Sequence, residues 1–150
     1  MKGIIDVQKN LEVRLTPIVN AVLAAVMTED TYVLNLSYNA RGKTSKVNEV
    51  FFQLSKNGIP ISNLPKEESG GVIQIIAMAL RWSFVLLNSL NRKILILDEP
   101  VVALSTCEDN YQNRFRDILE KLVDEFGFQI IMSTHSDSLK TGNIVDLSVL

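Results

Sequence analysis

Apolar positions near the start of the chain recur at helical spacing and then change to an alternating pattern. Between Ile4 and Met27 they return at three- and four-residue steps, which predicts a helix. Pro17 stands inside this run and is expected to end or kink its first part. From Thr31 to Tyr38 apolar and polar side chains alternate, which predicts a strand with one buried face.

A second strand is predicted close to the first. Val47 to Leu54 has strand-like composition, and the intervening Arg41-Gly42 is a turn signal. Lys56-Asn57-Gly58 is another turn signal. These features together predict an antiparallel β-hairpin or a small antiparallel sheet.

The second half of the chain alternates strands with helices. The pattern predicts helices at about Val72–Asn88 and Cys107–Phe126, and strands at Lys93–Leu97, Phe128–Met132 and Ile144–Val149. Strands alternating with helices imply a parallel α/β core. The first two strands are continuous apolar runs, so we expect them to be buried on both faces.

Composition narrows the class of protein. The chain has 150 residues, is 47% hydrophobic and 21% charged, and has a formal net charge of −2, which exerts no overall attraction on nucleic acid. The stretch Val72–Leu90 approaches the length of a membrane span, but polar residues interrupt it, so a buried core helix is the better interpretation. The start does not resemble a signal peptide, and the single cysteine, Cys107, fits a reducing cytoplasm.

Two adjacent carboxylates follow the first apolar strand of the second half. Asp98 and Glu99 come directly after the run Ile94–Leu97 and precede Pro100. Open parallel sheets bind ligands at the carboxyl ends of their strands. One carboxylate there can hold Mg²⁺ while the next orients or deprotonates an attacking water. A strand that ends in a polar turn would look the same, so the pair alone leaves both interpretations open.

Three other polar features each have a functional and a structural interpretation. Ser69-Gly70-Gly71 stands before a predicted helix, where glycines and helix N–H groups can admit an anion, or where Ser69 caps the helix. His135, the single histidine, follows a predicted strand and can contact a terminal phosphate or simply lie at the surface. Ser105 with Glu108 fits a capping box, which needs no catalysis to explain it.

The order of these features resembles the second half of an ABC-type ATPase. Ser-Gly-Gly, Leu-Asp-Glu-Pro, Ala-Leu-Ser and Ser-Thr-His are similar to the signature motif, Walker B, D-loop and switch-histidine loop, over about Glu67 to Asp137. The preceding helix and hairpin resemble the C-terminal lobe of SMC-like ATPases that partner DNA-repair nucleases. In that family the helix returns from a long coiled coil. The implied fold class is α/β, the C-terminal half of an ABC-type ATPase head, with parallel strands and flanking helices after a helix and an antiparallel hairpin.

The resemblance implies a division of the chain and of its site. A single domain is expected over 1–150, with a coil stump or a helix leading into the lobe at 1–28, a hairpin region at 29–65 and the ATPase lobe at 66–150. ATP and Mg²⁺ are the implied ligands. The implied roles are Mg²⁺ positioning for Asp98, general base for Glu99, γ-phosphate contact for His135, and nucleotide contact for Ser69, Gly70, Gly71 and Ser105.

The sequence departs from the family pattern in three places. Glu68 and Val72 flank the signature where a hydrophobic residue and Gln or Glu are usual, and Ser105 stands where the D-loop often ends in Asp. No Gly-x-x-x-x-Gly-Lys-Ser/Thr loop occurs, and Gly42-Lys43-Thr44 lies in a predicted hairpin turn. The chain is therefore part of a longer ATPase, works with a separate N-terminal lobe, or is a degenerate module. We expect no ATPase activity from it alone.

The implied partners follow from the same resemblance. They are a Walker A-bearing N-terminal lobe, in the same longer protein or a separate chain, a second head forming a homodimer, and a nuclease subunit. DNA is a further candidate, through the basic turn at Arg41, Lys43 and Lys46. No membrane partner is expected. Two alternatives stay open: part of the ATPase subunit of an ABC transporter, and a non-hydrolysing regulatory or dimerisation module.

Overall fold

A computed structural model of the chain describes residues 2–40, 48–63, 66, 70–88, 92–104 and 110–147. The described helices are α1 (Lys2–Val26), α2 (Gly70–Leu87) and α3 (Tyr111–Asp124), with 3-10 turns at Val102–Leu104 and Asp137–Leu139. The described strands are β1 (Tyr32–Ala40), β2 (Asn48–Lys56), β3 (Ile59–Pro60), β4 (Ile94–Asp98) and β5 (Gln129–Ser133).

Helix α1 continues through Pro17, so of the two outcomes expected at this residue, an end or a kink, the end is wrong. Proline removes one helical hydrogen bond, which leaves the carbonyl of Val13 without its usual donor. Both Val13 and Pro17 lie on the exposed side of the helix, where water can reach that carbonyl. The opposite side is held by the core through Leu15, Val19, Val22, Leu23 and Val26.

Strands β1 and β2 form the predicted antiparallel hairpin, with a register that runs from Tyr32 opposite Lys56 to Ala40 opposite Asn48. The connecting residues 41–47, including the predicted turn, lie outside the described residues. Tyr32, Leu34 and Leu36 are buried, as their alternation predicted. The side chain of Tyr38, which the same pattern assigns to this face, lies outside the described part.

The short strand β3 was not predicted. It pairs with the end of β2 across Asn57 and Gly58, which have φ values of 51° and 80°. Two consecutive residues in the left-handed region form the tight turn that matches the twist of antiparallel strands, and Asn-Gly is the residue pair that tolerates it best. The predicted turn at these residues is therefore confirmed, although its second strand was missed.

The second half contains the predicted parallel pair. Strands β4 and β5 pair from Ile94 opposite Gln129 to Asp98 opposite Ser133. The prediction that both strands are buried on both faces is wrong, because β4 alternates between exposed and buried positions. The strand predicted at Ile144–Val149 is also not formed over residues 144–147, and residues 148–150 lie outside the described part.

Helix α2 joins the two sheets through one core. Trp82 is 1% exposed and its ring centroid lies 5.5 Å from that of Phe115 on α3. The same core includes Leu34 of β1 and Leu97 of β4. Within the described residues, α2 is the one helix long and apolar enough to cross a membrane by length and composition, but one of its faces is buried in this core, as predicted.

Candidate functional site

The carboxyl ends of β4 and β5 are joined by side-chain and backbone hydrogen bonds. Ser133 Oγ donates to Asp98 Oδ1 at 2.5 Å, and the Glu99 N–H donates to the Ser133 carbonyl at 3.0 Å. These contacts follow from the register, because Asp98 and Ser133 are the last paired residues of the two strands. The structure thus brings the predicted carboxylates to the edge at which parallel sheets bind ligands.

Glu99 and His135 form a two-point contact across this edge. His135 Nδ1 lies 2.8 Å from Glu99 Oε2, and the His135 backbone N–H donates to Glu99 Oε1 at 3.0 Å. The Glu99 side chain is 37% exposed and that of His135 is 77% exposed, so a ligand can reach both. The contact fixes the direction of the carboxylate and selects the imidazole form with a proton on Nδ1 when the ring is neutral.

The backbone after Asp98 is strained. Glu99 has a φ of 42° and Val101 a φ of 54°. A β-branched residue in the left-handed region is uncommon, and such residues cost on the order of 1–3 kcal/mol each. Strain of this kind persists only where the surroundings enforce it, and here Val101 is 1% exposed. The turn that aims Glu99 is therefore held by packing and not by local preference.

Two of the signature residues contact the turn that follows the carboxylates. A Cβ on Gly71 would lie 2.2 Å from Leu104 Cδ2, and one on Gly70 would lie 3.4 Å from the Cβ of Ala103. Gly71 therefore has a structural reason to be glycine that needs no nucleotide. Two other predicted nucleotide contacts, Ser69 and Ser105, lie outside the described residues, as does the proposed capping partner Glu108.

The loop that carries His135 is anchored to α3. Ser136 Oγ donates to Gln112 Oε1 at 2.6 Å, and the Ser136 N–H donates to Thr134 Oγ1 at 3.1 Å. Gln112 is 9% exposed, which makes it one of the few polar side chains in the core. This anchor limits how far His135 can move away from Glu99.

The donors at this edge fit a metal that arrives with a nucleotide. The Asp98 carboxylate is exposed and lies beside the Ser133 hydroxyl, and both are oxygen donors. In the described residues no group of three His, Cys, Asp or Glu side chains converges as a metal cage. Mg²⁺ commonly binds through one or two carboxylates together with substrate phosphates and water, and this donor set suits that mode.

Sequence reasoning missed two residues of the site. Ser133 was grouped with the histidine loop but given no role, although the aligned apolar runs of β4 and β5 imply that it pairs with Asp98. Gln74 is one of the polar residues that interrupt the apolar stretch Val72–Leu90, and no role was predicted for it. Its Oε1 accepts the backbone N–H of Ala103 at 3.3 Å, a contact that no sequence pattern signalled.

Comparison with known proteins gives relatives of one broad class. No family model matches the sequence. The chain is similar to the zinc import ATP-binding protein ZnuC of Ehrlichia chaffeensis, with 28% identity over 134 residues, and to that of Ehrlichia canis, with 27% identity over 134 residues. Both alignments cover 89% of this chain and 51% of the relative, so the chain spans about half the length of the curated relatives it matches.

Solved structures similar to this chain include two of SMC proteins. One belongs to work on the ATP-driven dimerisation and DNA-stimulated activation of SMC ATPases, with a TM-score of 0.56, 14% identity, and coverage of 89% of this chain and 74% of that one. Another is the Smc head bound to the C-winged helix domain of ScpA, with a TM-score of 0.61, 13% identity, and coverage of 89% and 38%. The fold is that of part of an ABC-type ATPase head. The fold class predicted from the sequence is therefore confirmed.

Proposed function

We propose that this chain supplies the C-terminal ATP-binding and hydrolysis half of an SMC-like ATPase head that works with a nuclease in DNA repair or phage DNA processing. The Glu99–His135 contact at the carboxyl edge of β4 and β5 is the observation that carries the proposal. Asp98 and Ser133 would hold Mg²⁺, Glu99 would act as the general base, and His135 would contact the γ-phosphate.

The two contacts with His135 orient the Glu99 carboxylate and still leave it able to accept a further hydrogen bond, as a general base must. A carboxylate offers about four lone-pair positions, and His135 uses one on each oxygen. Glu99 therefore retains acceptor sites for a water, whose proton it takes as the water oxygen attacks the γ-phosphorus. The bond from that phosphorus to the β–γ bridging oxygen breaks, so that ADP leaves and inorganic phosphate forms. When bound, Mg²⁺ neutralises charge on the phosphates.

The signature residues are assigned to a nucleotide held by a second head. In this proposal Ser69, Gly70 and Gly71 contact its γ-phosphate, so that ATP joins two heads and hydrolysis releases them. A ligand can drive such a change because it binds the closed pair better than the separate heads. The ATP-driven dimerisation described for one of the similar SMC structures supports this assignment.

An exposed apolar face on the parallel sheet supports a requirement for a further lobe. Ile96 is 78% exposed, Ile131 beside it is 63% exposed, and Ile94 lies on the same face. Parallel strands are almost always covered on both faces. The chain also lacks a phosphate-binding lysine loop and spans half of its curated relatives. We therefore assign this face to a Walker A-bearing N-terminal lobe, in the same longer protein or a separate chain.

Helix α1 supports the SMC-like assignment over the transporter alternative. It has 25 residues, about 37 Å of helix at 1.5 Å per residue. Among its described side chains burial begins at Leu15, and the helix leads into an antiparallel hairpin before α2. This order of elements resembles that of SMC-like ATPases, in which the helix returns from a long coiled coil. The predicted basic turn with Arg41, Lys43 and Lys46, which is the candidate DNA contact, lies outside the described residues.

A role in transport is the second candidate, because the curated relatives are named as zinc import ATP-binding proteins. The two functions differ in what stimulates hydrolysis. An SMC-like head paired with its lobe should respond to double-stranded DNA, whereas a transporter ATPase should respond to a membrane-embedded partner. A non-hydrolysing dimerisation module would turn over ATP under neither condition.

Calorimetric titration with Mg·ATP tests the proposal directly. The chain is titrated alone and then after mixing with an N-terminal lobe taken from a related SMC head, with the lobe alone as the control. We expect binding by the mixture that exceeds binding by the lobe. Tight binding by this chain alone would contradict the assignment of phosphate binding to a second lobe.

A further inference from the structure

We infer that Gly71 and Gln74 at the start of α2 are positioning residues for Glu99, acting through the strained turn that connects Asp98 to Leu104. The importance of Glu99 for hydrolysis rests on the proposed function, but the coupling itself is a property of this chain. It would make the signature segment and the proposed general base parts of one rigid unit.

The turn needs an external template. Glu99 and Val101 both have positive φ, and neither is a glycine, so the backbone does not favour this shape by itself. Within the turn, the Leu104 N–H donates to the Val101 carbonyl at 2.9 Å. We expect contacts from other elements to contribute to its shape as well.

Helix α2 holds the turn by close packing against it. Leu104 is 2% exposed, and its side chain occupies the space that a Cβ on Gly71 would need. The neighbouring Gly70 is different, because its Cβ would meet Ala103 at an ordinary contact distance of 3.4 Å. The two glycines thus make separable predictions. Gly71→Ala should push the buried Leu104 side chain and, through it, the turn, whereas Gly70→Ala should leave the turn in place.

The same helix supplies a polar tie. Gln74 lies one turn beyond Gly71, and its Oε1 accepts the N–H of Ala103 at 3.3 Å. This N–H belongs to a short 3-10 turn, where backbone donors often lack an internal partner. Losing the acceptor frees the middle of the turn while leaving the apolar packing of α2 unchanged.

At its other end the turn controls the Glu99 carboxylate. The Glu99 N–H is fixed to Ser133, so a change in the turn rotates the side chain about a held backbone. The carboxylate would then lose its contact with His135 Nδ1. Because the chain has a single histidine, that loss can be measured without interference from other imidazoles.

The test measures which ring nitrogen of His135 carries the proton. The chain is labelled with ¹⁵N-histidine, and multiple-bond ¹H–¹⁵N spectra are recorded at alkaline pH, which favours the neutral imidazole. The wild type should have its proton on Nδ1, held by Glu99, and Glu99→Ala defines the spectrum of the released ring. We expect Gly71→Ala and Gln74→Met to lose the Nδ1–H form and move toward the Glu99→Ala spectrum. Gly70→Ala and Gln74→Glu, which keeps an acceptor oxygen, should retain it.

Fluorescence of the single Trp82, packed on Phe115, shows whether each variant keeps its core. Wild-type spectra for folded Gly71→Ala and Gln74→Met would overturn the positioning inference and leave the proposed function intact. A wild-type spectrum for Glu99→Ala would instead show that the Glu99–His135 contact is absent, which removes the observation that carries the proposed function. If Gly71→Ala does not fold, the Gln74 pair decides the inference.

Discussion

The two sheets of this protein differ in how their two faces are buried. The antiparallel sheet of β1, β2 and β3 places Leu34 and Leu54 in the core against α1 and turns Asn35 and Gln53 outward. The parallel pair of β4 and β5 has a buried face too, but its other face presents isoleucines to solvent. An antiparallel sheet tolerates one wet face, whereas a parallel sheet normally does not. The outward face of the first sheet also exposes Val33 and Phe51, so the two sheets differ mainly in strand direction. The rule for parallel strands therefore supports the proposal that a further lobe covers the second sheet.

The largest expected effect concerns the core that both sheets share. Trp82→Ala should lower the free energy of unfolding by about 3–5 kcal/mol, because it leaves a cavity against Phe115. Urea denaturation followed by circular dichroism measures it. Phe84→Ala on the exposed side of the same helix is the matched control and should change stability by about 0.5 kcal/mol or less. Equal effects would mean that the sheets do not share a core through α2.

A charged residue introduced on the exposed face of the parallel sheet tests whether this face binds the N-terminal lobe. Ile96→Asp should weaken binding to the N-terminal lobe at least about 100-fold, equivalent to about 2.7 kcal/mol, because the interface would bury an unpaired carboxylate. Titration of the lobe into the chain measures this. Val123→Asp on the exposed side of α3 is the control. Unchanged affinity for Ile96→Asp would place the lobe on another surface.

We expect the antiparallel sheet to depend on Asn20, whose side chain hydrogen-bonds backbone groups at the edge strand β1. Asn20 on α1 donates to the Leu34 carbonyl at 3.1 Å and accepts the Leu34 N–H at 2.8 Å. Asn20→Ala should cost about 1–3 kcal/mol, because two partly buried backbone groups lose their partner. Thermal unfolding measures the loss, with the outward Asn35→Ala as the control. A negligible cost would mean that water replaces Asn20 at this edge.

The smallest expected effect is a pH dependence at the end of the same sheet. The hydrogen bond from Lys56, followed by that from Asn57, holds the pKa of Asp30 below its ordinary value of 3.8. A lowered folded-state pKa means that the stabilisation is present above 3.8 and is lost as the pH falls through the folded-state value. Asp30→Asn should therefore differ slightly from wild type at neutral pH and converge with it in acid. Parallel urea midpoints at all pH values would contradict this.

Much of the architecture was predictable because hydrophobic periodicity reports which face of an element is buried. The alternation at Tyr32, Leu34 and Leu36 and the apolar runs of β4 and β5 gave the hairpin and the parallel pair. The carboxyl edge then followed from strand direction, and in the structure this edge brings Glu99 and His135 together.

The predictions that failed share one cause. Each depends on contacts with parts of the structure or with solvent that the local sequence pattern does not report. A continuous apolar run such as β4 predicts burial on both faces, but the run alone does not show which elements cover each face, and Ile96 is 78% exposed in this chain. Pro17 remains inside a helix because the Val13 carbonyl, which loses its hydrogen-bond donor to the proline, lies on the exposed side of the helix. The contact of Gln74 with Ala103 depends on the crossing of α2 and the turn, which no spacing along the chain encodes.

The most direct test of the central claim is ATP turnover by this chain mixed with the N-terminal lobe, compared between wild type and Glu99→Gln. If Glu99 is the general base, the substitution should reduce turnover by about 10²–10⁴-fold while Mg·ATP binding and ATP-dependent head pairing persist. Equal turnover by wild type and Glu99→Gln would contradict the assignment of Glu99 and, with it, the proposed mechanism.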